Sequence, residues 1–456
     1  MLFLRLRDDI TGFIYNIPYF KKLDIHRLEA VQGTSVAFLL KILSSVLGLV
    51  TSIIVARLIG AGGVGIIALS SIIISAASTA GRFGLDNSLV RFVGEYASRN
   101  DWNRVAGVYS LSVRTCTLSL LLVAGFIMVA AEPLAEHVFH KPGLALPLRL
   151  MALGMVPTGI VFIRGEVLRG LKRIRESISL QLILPQIFSL PLVVVLAYLW
   201  GVTGAVVGTV IGSVIVLVYS FSIWNTAVPQ IAAIRGEFDR AKLFRSSFPL
   251  LLVSMMHMIM ASADTAILGI FNGSESVGIY SIALKIGSLT NFILLAINTI
   301  AAPKFAALYG QGDVLALEDL GRYFTKMGIV VALPIFLVII LAGRMILGFF
   351  GSEFTGAYSV LLILAAAQMA NVSFGSVGYL LAMTGHEIVV RNITMISAVS
   401  NIGLNFILIP VYGITGAAAA SAVSIVLFNI LGVVMVYRKL SILTIPIPRR
   451  YVKNAD

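Results

Sequence analysis

Long apolar stretches, interrupted by short charged or glycine-containing segments, run along the chain from residue 34 to residue 437. Each is close to the roughly 20 residues a helix needs to cross a hydrocarbon layer of about 30 Å. Length and periodicity together predict twelve spans, near 34–56, 64–81, 108–131, 145–163, 178–199, 202–223, 248–271, 277–301, 326–343, 357–383, 392–411 and 415–437. One set of connections is short throughout, the longest lying near 132–144, and has no room for an external domain. The expected fold class is an all-α integral membrane protein with twelve transmembrane helices.

Two phrases recur at nearly one offset. Gly201-Val202-Thr203-Gly204-Ala205 returns 212 residues later as Gly413-Ile414-Thr415-Gly416-Ala417, with an aromatic residue, Trp200 or Tyr412, before each. Val64-Gly65-Ile66 returns 213 residues later as Val277-Gly278-Ile279. A same-direction repeat of this length predicts two six-helix lobes related by a parallel internal repeat, a plan shared by two-lobed membrane transporters. The expected division is an interfacial segment over 1–33, a first lobe over 34–223, a cytoplasmic linker over 224–247 that holds Pro229 and Gly236, a second lobe over 248–437 and a tail over 438–456.

Composition agrees. Hydrophobic residues make up 58% and charged residues 12%, against about half and a quarter in soluble domains. The single cysteine, Cys116, falls in a predicted span, so neither an intrachain disulfide nor a metal cluster is expected. The formal charge of +13 raises nucleic acid or anionic lipid as partners, but its distribution points elsewhere. Of the 34 Lys and Arg, 27 lie in the two termini and the alternate loops 82–107, 164–177, 224–247, 302–326 and 384–391. Four lie on the opposite side, Arg57, Lys141, Arg149 and Arg344. This is the positive-inside pattern of a multi-pass protein of the plasma (inner) membrane with both termini cytoplasmic. Nucleic acid drops out as a partner, and membrane lipids remain.

Three cations lie inside predicted spans. A charge there costs about 2.5–3.5 kcal/mol to insert, so it normally faces a cavity or a partner. Lys41 shares a helical face with Ser44, Ser45, Gly48 and Ser52; Arg114 shares one with Ser110 and Thr117. Lys285 shares one with Ser281, Ser288 and Asn291. One reading is a cationic, water-filled cavity between the lobes, lined by Lys41, Arg114 and Lys285, that takes phosphate or carboxylate. The other is local: each cation snorkels to an interface or pairs, as Lys285 would with Asp264. Asp264, on a stripe with Ser254, His257 and Ala261, is open between coupling to Na⁺ or H⁺ and a structural ion pair. His257 is open between a satisfied interior histidine and a proton relay. Arg82 and Arg91, with Asp86, are expected at a cytoplasmic mouth or on lipid headgroups. Arg164 and Arg169, in a run with Glu166, Lys172 and Arg173, form either a solvated topology-setting loop or a contact for an incoming anionic substrate. Pro185 and Pro334 would each favour a helix bend. No nucleophile motif, metal-ligand cluster or phosphate-cradling glycine loop is present in the sequence, so catalysis and a cofactor are not expected.

The chain resembles the polysaccharide transporter (oligosaccharide flippase) family, relatives of the multidrug and toxic compound extrusion transporters. The resemblance is carried by Ala56-Arg57-Leu58-Ile59-Gly60 with Gly65, by Gly84-Leu85 with Val90-Arg91-Phe92, and by Asp264, Leu268-Gly269 and Val277-Gly278-Ile279-Tyr280 with Ala283. It continues in Asn405, Leu408-Ile409-Pro410, Tyr412-Gly413-Ile414 and Gly416-Ala417-Ala418, and so covers nearly all of the chain after residue 33. It implies a flippase for lipid-linked oligosaccharide in polysaccharide biosynthesis, working by rocking of two lobes, with a glycan polymerase or glycosyltransferases as further partners. It transfers no substrate residue. The rival expectations are a lipid II flippase or an ion-coupled multidrug exporter of the same fold and, from another class, a membrane-embedded sugar polymerase or acyltransferase.

Overall fold

The computed structural model describes residues 25–232, 234 and 236–444. All regular structure among them is helical. The elements are α1 (Ile25–Gly81), α2 (Leu85–Ser98), α3 (Trp102–Val138), α4 (Pro142–Gly170), α5 (Ile174–Ala227), α6 (Arg240–Phe271), α7 (Ser274–Gly310), α8 (Val314–Gly348), α9 (Ser352–Met383) and α10 (Glu387–Leu440). Of the interfacial segment expected over 1–33, residues 1–24 lie outside the described residues; from Ile25 the chain is helix continuous with the first predicted span. The expected C-terminal tail is helix to Leu440 and lies outside the described residues beyond 444.

Eight of these helices are long and apolar enough to cross a membrane, nine with α4, whose two pieces meet at 45°. α5 and α10 have 54 residues each, which at 1.5 Å per residue is about 80 Å, far beyond a hydrocarbon core of about 30 Å. Both are broken at the first glycine of the repeated phrase. Gly201 has φ 60°, ψ −134°, and Gly413 has φ 55°, ψ −129°, a backbone form that a side chain would strain. α1 is broken likewise at Gly60, φ 70°.

The second glycine of the phrase serves the packing that follows. A Cβ at Gly204 would lie 1.8 Å from Leu196 O, and one at Gly416 2.3 Å from Leu408 O. Further along α5, Gly208 abuts Val193 and Gly212 abuts Ser189. Partner numbers fall as glycine numbers rise, so the two arms of α5 run antiparallel with their backbones in contact. The other echo is reciprocal: a Cβ at Gly65 would meet Ser274 O at 1.7 Å, and one at Gly278 would meet Ala61 O at 1.9 Å. Ser274 follows Ala61 by 213 residues, as Gly278 follows Gly65. The contact is therefore self-complementary, as across a two-fold axis.

The apolar core divides unevenly. One cluster joins both halves of the chain, with Ala61, Leu69, Ala131 and Leu144 packed with Leu268, Val277, Phe350, Phe354 and Ala417. Toward the opposite helix ends the core separates. Leu85, Phe92, Tyr96, Val105, Leu168 and Trp224 form one cluster, and Phe305, Leu317, Phe324, Leu380, Ile393 and Leu440 another. The halves are thus fused at the end with short, charge-poor connections and have separate cores at the end that carries most of the basic residues. The start of α6 is the exception, because Leu243 belongs to the first-half cluster.

Candidate functional site

Within the second half, α6, α7, α9 and α10 enclose a cavity of about 380 Å³. Its polar wall includes Asp264, Gln368, Asn371, Asn401, Ser421 and Asn429. Asp264 is 9% exposed. Asn405 Nδ2 donates to its Oδ1 at 2.6 Å, Tyr280 OH donates to its Oδ2 at 3.1 Å, and Ser421 Oγ also donates to Oδ2. Asn405 Nδ2 further reaches Asn401 Oδ1 at 3.0 Å. Burying a carboxylate is tolerable only where its lone pairs are met, and here neutral donors meet them. Among the described residues no salt bridge to Asp264 forms. The local pairing with Lys285 considered from sequence is therefore absent: Lys285 turns the other way. Two buried oxygens nearby, Asn405 Oδ1 and Ser397 Oγ, have no hydrogen-bond partner. Two unspent acceptors thus lie beside the Asp264 carboxylate. His257 is exposed on α6 and does not line this cavity.

Lys285 crosses between the halves. Its Nζ donates to Gly48 O at 2.9 Å and to Ser52 Oγ on α1. It thus reaches the face of α1 that holds Lys41, seven residues from Gly48 or about 10 Å along the axis. Lys41 is half-buried. Lys41 and Lys285 are brought onto one stripe; Arg114 is not. Arg114 is exposed, on the side of α3 opposite Ser112, Cys116, Leu120 and Ala124, which are buried. Its flank is apolar and outward, with Leu118 64% and Leu122 76% exposed. The expected cavity position for Arg114 is corrected on that ground: its stripe mates, Ser110 and Thr117, do not mark an inner face, since Ser110 Oγ merely returns to Gly107 O.

The four residues expected at the mouth separate as well. Arg82 is paired with Asp86 at 3.1 Å and lies over the Phe162 ring at 4.4 Å. Arg169 is paired with Glu166 at 2.5 Å. Arg164 is only 4% exposed and lies inside α4, not in a solvated loop. Its guanidinium sits 3.8 Å over Phe221, donates to Tyr109 OH at 3.1 Å and bonds Ser220 Oγ. These contacts make it a pin between α3, α4 and α5. Arg91 is exposed and rests over the Phe92 ring at 4.7 Å.

At the fused end, polar contacts cross the halves. Arg57 Nε donates to Phe349 O at 2.7 Å, Ala61 N donates to Glu353 Oε1 at 2.7 Å, and Lys141 Nζ donates to Gly269 O at 2.5 Å. Burial lowers the Lys141 pKa from the ordinary lysine value, so this contact costs something to hold charged.

Sequence reasoning found Asp264 but missed its partners and the rest of the polar wall. Tyr280 and Asn405 stood among the residues of the family resemblance; Ser421, Gln368, Asn371 and Asn429 had only the weaker signal of amides and a hydroxyl inside apolar spans.

Comparison with known proteins fits this geometry. The model of the family described as polysaccharide biosynthesis protein matches residues 30–308, and the MatE model matches residues 249–407. The Haloferax volcanii protein named "Probable flippase AglR" is 26% identical over 419 residues, 89% of this chain and 83% of its own length. The "Probable low-salt glycan biosynthesis flippase Agl15" of the same organism is 31% identical over 169 residues; the match spans 37% of this chain and only 36% of that protein. An inward-facing multidrug resistance MATE family transporter superposes with a TM-score of 0.73 at 16% identity, over 87% of this chain and 94% of its own. This chain is therefore a multi-span membrane protein, and it belongs to the polysaccharide biosynthesis protein family, related to the MATE transporters.

Proposed function

We propose that the protein flips polyprenyl-pyrophosphate-linked oligosaccharides from the cytoplasmic to the outer leaflet of the plasma membrane by alternating access, as a step in polysaccharide biosynthesis. It works as a transporter, not as an enzyme. Family membership and the flippase relatives support the class. The observation that carries the mechanism is the divided core: the halves share one core at one end and have separate cores at the basic end, where the start of α6 joins them, with Lys285 reaching across to the α1 stripe of Lys41.

Counting α1, α5 and α10 as two crossings each, and α3, α4, α6, α7, α8 and α9 as one each, brings the total to the twelve expected spans. The lobes are then 34–223 and 248–437, joined by the linker 224–247, with both termini cytoplasmic. Reciprocal packing of Gly65 and Gly278 supports a parallel repeat. In this reading the sugar–pyrophosphate head enters between the lobes from the basic side and meets Lys41 and Lys285. The lipid tail stays in the bilayer. Rocking then parts the contacts of Arg57, Lys141 and Glu353 and frees the head on the other side. Polar groups crossing bare hydrocarbon cost several kcal/mol each, and this path removes that barrier.

Asp264 supplies the coupling. Its carboxylate, with Asn405 Oδ1 and Ser397 Oγ, fits Na⁺ or H⁺ as a co-transported ion, and one charge there alters the balance among Tyr280, Asn405 and Ser421. Glycosyltransferases that build the substrate and a polymerase that consumes it complete the set of partners.

The test is translocation of a fluorescent lipid-linked oligosaccharide in proteoliposomes, with and without a Na⁺ or H⁺ gradient. Transport above protein-free liposomes that responds to one gradient is the expected result. A protein that moves small organic cations and leaves the glycolipid in place would favour the exporter reading, to which the anionic cavity at Asp264 lends its own support.

A further inference from the structure

At the basic end a second hollow, of about 440 Å³, lies between α2 and α6, walled by Arg91, Lys242, Arg245, Ser246, Pro249 and Leu250. It takes one cation from the first half of the chain and two from the second. The α6 residues follow a 3, 1, 3, 1 spacing, which keeps them on one helical face. The charges are held in place by rings. Arg91 lies 4.7 Å and Lys242 5.7 Å from the same Phe92 ring, and Lys242 also lies 5.5 Å from Tyr96 and 5.9 Å from Phe238. Tyr96 OH accepts from Lys242 Nζ at 2.8 Å.

No carboxylate lines this hollow. The acids closest along α2 are engaged elsewhere, Asp86 with Arg82 and Glu95 with Arg99, and Asp239 caps α6 through Ala241 N. Arg245 is exposed and in no hydrogen bond or ion pair among the described residues. Topology alone asks for basic residues at this end. It does not ask for three around one concavity, two of them fixed on a shared aromatic ring, beside a serine hydroxyl.

We propose that this hollow is a binding site for a phosphoryl headgroup. Arg91 and Arg245 grip phosphate oxygens through paired N–H donors, Lys242 supplies a fixed point charge, and Ser246 donates a further hydrogen bond. Two sources carry that chemistry, an anionic membrane phospholipid and the pyrophosphate of a prenyl-linked substrate. The site also bears on the join between the halves. Next to it Ser88 Oγ and Ser247 Oγ are 2.7 Å apart, and the backbone of Gly84 packs on Ser247 and Leu251. A headgroup that draws Arg91 toward Arg245 therefore ties α2 to the start of α6. The inference stands on the pocket's chemistry and does not need the glycan reading.

The experiment is native mass spectrometry of the full chain in detergent, titrated separately with phosphatidylglycerol, phosphatidylcholine and farnesyl pyrophosphate. The wild type should retain at least one of the two anionic probes and not phosphatidylcholine. Preference for farnesyl pyrophosphate assigns the site to a substrate; preference for phosphatidylglycerol assigns it to a resident lipid. Arg245→Ala should weaken the retained probe roughly tenfold, as loss of a charge-assisted hydrogen bond does, and Arg91→Ala with Arg245→Ala more than that. Arg245→Lys should recover most of the binding. Equal retention of all three probes by the wild type, or unchanged affinity in the double variant, overturns the proposal.

Discussion

The two halves hold cavities in matching places and fill them with opposite chemistry. The second-half cavity is walled by Asp264, Ser397, Asn401 and Ser421. At the repeat offsets, the first half has Thr51, Pro185, Ser189 and Thr209, all of which line its own cavity of about 310 Å³. Tyr280 and Asn405, which hold Asp264, correspond to Ile67 and Val193, two more residues of that wall. Thr51 spends its hydroxyl on Leu47 O within its own helix. The first-half cavity thus has no carboxylate, and of the three donors that hold Asp264 only the hydroxyl has a counterpart, Thr209, which donates to Ala205 O in its own helix. It has instead a cation on loan, because Lys285 bonds Ser52 on its wall. The matched offsets thus place an acid in one cavity wall and, through Lys285, a cation against the other. What the echoed glycines share is packing that lets backbones touch; what differs is the side chains facing the cavities.

The strongest way to break that contrast is to neutralise its anion. Asp264→Asn removes the charge and keeps the shape. If the coupling ion binds there, gradient-driven transport should fall at least tenfold, since each hydrogen bond to a charged group contributes about 1.5–3 kcal/mol. Facilitated exchange without a gradient should survive better. Transport that still follows the gradient would remove Asp264 from coupling. Moving the charge to the matched site sharpens the point. Thr51→Asp should lower membrane insertion and yield no second ion response, because Ile67 and Val193 stand where Asp264 has two of its three donors.

Next in size is the glycine frame. Ala in place of Gly65 or Gly278 would drive a Cβ into a backbone carbonyl, Ser274 O or Ala61 O, that has no room to yield. Overpacking of this kind costs about 1–3 kcal/mol, and either variant should show a lower melting temperature than Gly125→Ala, whose Cβ would meet nothing within 4 Å. Similar melting curves for all three would contradict the close reciprocal contact. A smaller effect is expected at the borrowed cation. Lys285→Met should raise the apparent KM for the glycolipid about tenfold, as for one lost charge-assisted contact, and leave the ion response in place. Loss of the ion response as well would join the two cavities into one functional unit.

Much of this was legible in the sequence. Long apolar helices followed from hydropathy, and the first glycine of the five-residue phrase, Gly201 or Gly413, fell where α5 and α10 break, at a positive φ that glycine tolerates. Asp264, Lys41 and Lys285 stood out as charges in apolar runs. The environment of each did not follow. Tyr280, Asn405 and Ser421 lie 16, 141 and 157 residues from Asp264, and helical periodicity sees only neighbours on one element. Arg164 was misplaced for a related reason: a basic run after an apolar stretch looks like a loop, whereas α4 continues to Gly170 and encloses that residue among aromatic rings.

Arg114 shows the deepest limit, and it gives the smallest effect. In a soluble helix the apolar side is the inner side. In a membrane both sides are apolar, since lipid tails are as greasy as leucine, and polar neighbours along a stripe do not say which way it faces. Arg114 shares its flank with exposed Leu118 and Leu122, while Cys116 and Leu120 lie on the buried side of α3. Placed near the basic end of its helix, its long side chain can carry the guanidinium toward headgroups. Arg114→Ala should therefore leave glycolipid transport within about twofold, inside the range of surface substitutions, whereas Lys41→Ala, on the stripe that Lys285 reaches, should slow it severalfold more. The check is the pair of initial rates at matched protein content in proteoliposomes. Equal loss in both variants would put Arg114 back on the transport path and would require the outer face of α3 to meet substrate.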